Sequence, residues 1–392
     1  MMASSSYTCL YCGQTANSTA PLRADVAAAV QAAAAPHAAL GALRVQVGLA
    51  SSAGQAGRQT LTTEYVAALT SVKVVVTCNP DGWEGDNRLM EALASGALVL
   101  ADAMVDPPRA LAHMQNILFY HNVGDIVPLL KWALSHPQRG DEIAAAGTRA
   151  VRTPAMMMDD VLGAVFEAVA SRRAGRRDAR PMHMYSDSAA PRGRALPLPQ
   201  DNGRQADLVG SAAPASLRGH RRLSVYVAQP DRIRRSPRAH APPGNDWMGQ
   251  FSLGDGLAQS ALGLRTDNAS KADVVLLPLW NYFLAAGWST RAFRTTIDAV
   301  LRTHTDRNYV VVGLDWSDSP SLLSADPRME FYFKRSRVNR TNGTLMRYTR
   351  PVYPLHYPIK LQWLHALQAR RGPRAERVTD VACFFKPSST HI

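Results

Sequence analysis

Residues 72–102 constrain this chain more than any other stretch. They read VKVVVTC, NPDGWEGDN, RLMEALASG and ALVLAD in succession. A β-branched run, a polar loop with two glycines, an amphipathic segment ending in glycine and a second apolar run spell strand, loop, helix and strand. Two strands joined through a helix lie parallel, so an open α/β sheet is expected, with the loop after the first strand facing a ligand crevice. The helix that follows turns unpaired amides and a positive dipole end toward that crevice, which suits an anion. The span from Asn79 to Arg88 is therefore the expected ligand loop.

The same alternation continues on both sides of this unit. RVQVGL (44–49) alternates as a strand, and residues 60–70 place Leu61, Tyr65, Ala68 and Leu69 on one helical face. Upstream, the alanine-rich residues 22–40 suit a helix interrupted at Pro36. Downstream, DPPRALAHM is expected to be a short helix starting at its prolines, and NILFY a short buried strand. Helices are then expected over 125–135, 140–152 and 156–170. Strands alternating with helices argue for a doubly wound α/β domain over residues 22–170, preceded by a disordered N-terminus over 1–21.

Residues 171–221 break the pattern. They are rich in Arg, Pro, Ser and Gly and poor in large apolar side chains, the composition of a disordered linker. After it SVYVAQ, ADVVLLPLW, NYVVVGLDW and MEFYFKR read as strands, with a helix over 290–304 between the second and third. Residues 222–392 thus form a second α/β domain. A helix over 360–370 and the strand TDVACFF come last. Ending on an apolar strand makes this half look cut short or completed elsewhere.

Composition narrows the function classes. With 392 residues and 46% hydrophobic side chains, the chain can build ordinary buried cores. The net charge of +13 is concentrated in SRRAGRRDAR and LRGHRRL, runs that read more often as solvated linker than as a nucleic-acid site, so nucleic acid is not the expected partner. Cys9 and Cys12 have a metal-type spacing but no second pair follows nearby, so no metal site is expected. The alanine-rich segment contains Asp25, Gln31, Pro36 and His37 and is no membrane span. No basic n-region precedes an apolar core at the start, which points to the cytoplasm; the glycosylation-type triplets at Asn17, Asn268, Asn339 and Asn342 would matter only in the Golgi or another secretory compartment.

WEGDNRLMEALASGALVLAD, then NILFYHNVGDIVPLLKWAL, then GTRAVR together resemble the donor-binding lobe of GT-B glycosyltransferases, with the CgeB-like group nearest in pattern. The likeness covers about residues 58–168. The segments DVVLLPLW, GLDWSD, FYFKRS, RPVYPLHYP and TDVACFF are similar, less specifically, to the region that precedes such a lobe. The resemblance implies two Rossmann-like units joined by the linker, with the lobes in reversed order. It also implies sugar transfer from a nucleotide-sugar donor to an unidentified acceptor, without metal or other cofactor. The donor-binding residues it suggests are Arg58, Trp83, Glu84, Gly85, Asn87, Arg88 and Glu91. Glu91 matches the glutamate that hydrogen-bonds the donor ribose. The family's first glutamate stands eight residues earlier, where this chain has Trp83, with Glu84 one place late.

Each residue also has a plainer reading. Arg88, Glu91 and Ser95 share one helical face, and Arg88 with Glu91 is equally an i,i+3 ion pair on a solvated surface. Trp83 stacks on a base or simply packs its loop. Asp102 lies on the crevice edge or serves a turn. Asp315 and Asp318 in DWSD are more often turn or cap residues than metal ligands. Lys334, Arg335, Arg337 and His356 belong to an acceptor or phosphate site or to a solvated surface. The alternative function is a catalytically inactive Rossmann-like binding or interaction module, or an enzyme fragment, because fold does not fix function.

Overall fold

The structure, a computed structural model, describes residues 23–33, 44–47, 63–78, 87–104, 107–108, 110–173, 222–229, 257, 259–286, 289–304, 309–315, 326, 328–334, 353–355, 359 and 361–383. The first half supplies α1 (Arg23–Ala33), β1 (Val45–Val47), α2 (Thr63–Thr70), β2 (Val72–Val76), α3 (Asn87–Ala94), β3 (Leu98–Asp102), β4 (Leu118–Tyr120), α4 (Ile126–Ser135), α5 (Pro137–Arg149) and α6 (Pro154–Arg173). The second supplies β5 (Leu223–Val227), β6 (Gly263–Arg265), β7 (Val274–Pro278), α7 (Leu279–Ala285), α8 (Thr290–His304), β8 (Val310–Asp315), β9 (Phe331–Lys334), β10 (Tyr353–Pro354), α9 (Leu361–Arg370) and β11 (Thr379–Cys383). These form two sheets whose strand pairings, among the described residues, are all parallel, ordered β1-β11-β2-β3-β4 and β10-β9-β8-β7-β5-β6.

Both faces of each sheet are covered, as parallel sheets require. On the first sheet one face packs on Leu89, Leu93, Trp363 and Leu367, the other on Val26, Val30, Ile126 and Leu130. The second sheet packs α6 on one face, through Met158, Val161, Leu162 and Val165, and α7 and α8 on the other, through Tyr282, Phe293, Ile297 and Leu301. The doubly wound α/β architecture expected from the alternation is therefore present in both halves.

The halves also exchange elements. β11, more than 300 residues from its neighbours in sequence, lies between β1 and β2, with Val45 opposite Val381 and Val75 opposite Ala382. The terminal strand that looked unfinished completes the first sheet. α9 packs beside it with α2 and α3, while α6 leaves the first half to cover the second sheet. The two crossings run side by side, where the Ile359 amide donates to the Arg152 carbonyl at 2.8 Å. Counting β11 as the opening strand, the first sheet has the order 2-1-3-4-5, and the second repeats it with one strand added.

Polar contacts at the amino edge lock β11 in register. Asp380 accepts from Lys73 Nζ at 2.8 Å and from the Arg44 amide at 3.1 Å. Burial opposes its charge, but these bonds and the two cations outweigh it and hold its carboxyl below the ordinary value. Arg377, buried, donates to the carbonyls of Val72 at 2.8 Å and Ser95 at 2.9 Å. Burial, then the neighbouring Arg374 and Arg371, push its pKa down to about 10, so it stays charged at neutral pH. The turn it meets needs Gly96, whose φ of 75° is left-handed and whose Cβ would lie 2.5 Å from the Arg371 stem.

Among the described residues of DPPRALAHM the expected helix is absent. Asn116 accepts from the Ala112 amide and donates to the Ala110 carbonyl, closing a loop that replaces helical bonding. Met114 sits at φ 62° at its tip. The helix before Pro36 is α1, and its continuation lies outside the described residues.

Arg377→Met would leave two buried carbonyls unpaired, and urea titration should show a loss of about 2–4 kcal/mol. Because the folded pKa of Asp380 is depressed, its stabilisation is present above the unfolded value of about 3.9 and lost as pH falls through the folded one. Chemical denaturation from pH 5 downward should therefore show a smaller pH slope for Asp380→Asn than for wild type.

Candidate functional site

In a 2-1-3-4-5 sheet the winding direction reverses between the first and third strands, and a ligand crevice opens beyond their carboxyl ends. Here those strands are β11 and β2, ending at Cys383 and at Thr77 and Cys78. The ladder continues past β2 through the Thr77 amide to Leu100, and past β3 through Ala103 to Tyr120, both at 2.8 Å. The Tyr120 side chain, fully buried, reaches back across the sheet and donates its hydroxyl to the Thr77 carbonyl at 2.7 Å. It thereby braces the strand end from which the ligand loop departs.

Burial, the Asp102 carboxylate and the two thiols of Cys78 and Cys383 hold the Tyr120 phenol well above its ordinary pKa. It is a neutral donor under any physiological condition. Asp102 is buried and pairs in register with Tyr120, which places it at the end of β3 rather than in an exposed turn. Burial also raises the Cys383 thiol to about 12, which keeps it protonated.

Helix α3 begins at Asn87, one residue before the RLMEALASG segment read as helical. Its apolar face carries Leu89 and Leu93 into the core. Its polar face is not the solvated surface of the plainer reading: Glu91 is only 4% exposed and Ser95 is fully buried. The Tyr65 hydroxyl, in the first turn of α2, donates to Glu91 Oε2. Ser95 donates to the Ala92 carbonyl at 2.7 Å, at the opposite end of the helix from the crevice. Arg88, half-buried, occupies the first turn. A buried carboxylate in an interior contact needs hydrogen-bond donors to remain charged, and Tyr65 supplies one.

Of the sequence-derived donor residues, Arg88 and Glu91 lie together on α3 and Asn87 opens it. Arg58, Trp83, Glu84 and Gly85 lie outside the described residues. In the second half, Asp315 ends β8, is buried, and accepts the Tyr332 hydroxyl. Lys334 closes β9, whereas Asp318, Arg335, Arg337 and His356 lie outside the described residues. Among the described residues no group of three or more His, Cys, Asp or Glu is placed to hold a metal.

Sequence reasoning missed Tyr65 and Tyr120 as polar residues, because both occupy apolar positions of their elements. The available signal was chemical: a buried tyrosine hydroxyl must find an acceptor. It also missed Asn281, in the first turn after β7, whose buried amide has no hydrogen-bond partner among the described residues.

Cys78 and Cys383 are thiols, not disulfide partners, among the described residues and only 3% and 0% exposed. Peptide mapping after iodoacetamide treatment at neutral pH should find both unmodified in the native protein and both alkylated after denaturation.

Residues 31–159 match the family described as glycosyl transferase-like, a span that runs from the end of α1 into α6 and includes β1 to β4, Tyr65, Arg88, Glu91 and Tyr120. No curated protein and no solved structure matches the chain. Among the described residues no helix is long and apolar enough to cross a membrane. Residues 31–159 are thus similar to a glycosyl transferase-like domain, and the two parallel Rossmann-like sheets of the chain are consistent with a two-lobe GT-B fold.

Proposed function

We propose that this chain transfers a sugar from a nucleotide-sugar to an acceptor without a metal, in the manner of CgeB-like GT-B enzymes. The observation that carries this reading is the buried position of Glu91, near the crevice end of α3 and within the glycosyl transferase-like span. A carboxylate kept inside the protein and tied to a neighbouring helix suits ligand recognition better than a surface ion pair, which contributes only a few tenths of a kcal/mol.

The chemistry follows from charge. Cleaving the sugar–phosphate bond leaves negative charge on the departing diphosphate, and catalysis requires fixed positive charge where that charge develops. The amides at the start of α3 and the Arg88 guanidinium offer it, with Asn87, Gly85, Glu84, Trp83 and Arg58 as the remaining donor-side residues. Glu91 accepts from the donor ribose. The acceptor enters from the side of the second sheet, whose carboxyl edge carries Asp315 and Asn281.

Calorimetry with UDP and with GDP tests the reading. One of them should bind wild type, and Glu91→Ala and Arg88→Ala should each weaken that binding about ten-fold, or about 1.4 kcal/mol. Absence of heat from either nucleotide at millimolar concentration would sink the transferase reading; equal affinity in all three proteins would sink the residue assignment alone.

A further inference from the structure

We propose that Tyr65 sets the sugar specificity of the nucleotide site, by holding the Glu91 carboxylate in the orientation that receives the ribose hydroxyls. This rests on the reading of Glu91 as the ribose acceptor. Tyr65 stands in the first turn of α2 and Glu91 in the second turn of α3, two helices that cover the same face of the first sheet. The hydroxyl of Tyr65 donates to Oε2 of Glu91 across that contact.

A glutamate side chain has three rotatable bonds, and its terminal torsion is broad and roughly two-fold, so burial alone does not fix the plane of its carboxylate. A hydrogen bond to one oxygen does. Tyr65 is suited to this because its ring is itself anchored: it is half-buried and packs against the apolar cluster shared by α2, α3 and α9. The phenol is rigid apart from two torsions, so little freedom is lost in holding the bond. A carboxylate oriented in this way discriminates ribose from a sugar lacking hydroxyls, because the analogue brings no donor to it and so loses affinity. A carboxylate free to turn finds another partner or water, and the penalty disappears. Tyr65 is thus a positioning residue that acts through Glu91.

The test compares the nucleotide that binds, UDP or GDP, with its 2′,3′-dideoxy analogue by calorimetry on wild type, Glu91→Gln and Tyr65→Phe. Wild type should prefer the ribonucleotide about ten-fold or more, and both variants should reduce that preference below about three-fold. Tyr65→Phe should still unfold in one cooperative transition, and its affinity for the dideoxy analogue should be unchanged, which a general loosening of the helix contact would not produce. If Tyr65→Phe keeps the full preference while Glu91→Gln loses it, the role of Tyr65 is overturned and the ribose contact of Glu91 stands. If wild type binds both nucleotides equally, or binds neither, the ribose contact and the role of Tyr65 fall together.

Discussion

The insertion of β11 between β1 and β2 is the constraint on which the rest of the first sheet depends. Without it, β2 would be an open edge with unpaired amides and carbonyls, and Val74, Val75 and Val76 would lose a neighbour on that side. The strand also forms the switch point, since only its presence places a winding reversal next to β2. The glycosyl transferase-like span ends at residue 159, whereas β11 begins at Thr379, so the span does not complete its own sheet. α6 returns the dependence by covering one face of the second sheet, where Asp159 accepts from Ser260 and from the amides of Ala261 and Leu262. Each half thus packs around a piece of the other.

The chain's excess of arginine acquires a physical meaning in this arrangement. Arg374 donates to the Lys73 carbonyl and pairs with Asp141, and Arg377 holds two carbonyls at the amino edge of the sheet. Arg222 does the same for the carbonyls of Ser260 and Gly263 in the second half. Arg328 bridges Asp326 and Asp298, and its bond to Asp326 above all holds its guanidinium above the ordinary value. These side chains tie loops and strand ends together through the planar donor geometry that lysine lacks. At the carboxyl edge of the first sheet the buried polar groups are of another kind: Glu91, Asp102 and Tyr120 are neutral or acidic, and the half-buried Arg88 is the cation beside them. The two edges are thus chemically distinct, one an arginine clamp and the other the proposed ligand side.

The elements whose side chains alternate strongly were legible without coordinates. VKVVV, LVLAD and VVLLP are apolar on both faces, which only a strand covered by helices tolerates, and α8 repeats its apolar residues at helical spacing. The helix expected after Pro107 failed because a side chain, Asn116, satisfied the local backbone groups in a loop, a choice that periodicity does not report. Arg88 and Glu91 were legible as ligand candidates from the loop that precedes them. The burial of Glu91 was not, since an i,i+3 pattern is the same on a wet surface and in an interhelical contact.

By itself the sequence determined the alternation of strands and helices, the parallel sense of the sheets and the placement of an amphipathic helix after β2, because these follow from local periodicity and loop chemistry. Tertiary structure alone decided that β11 enters the first sheet and that Tyr65 meets Glu91. Both contacts join residues distant in sequence, and a strand's pattern states that it must be covered and paired without stating by what. TDVAC would satisfy either sheet on composition. Its central place between β1 and β2 follows from the Lys73, Arg44 and Asp380 contacts and from the buried valines on either side.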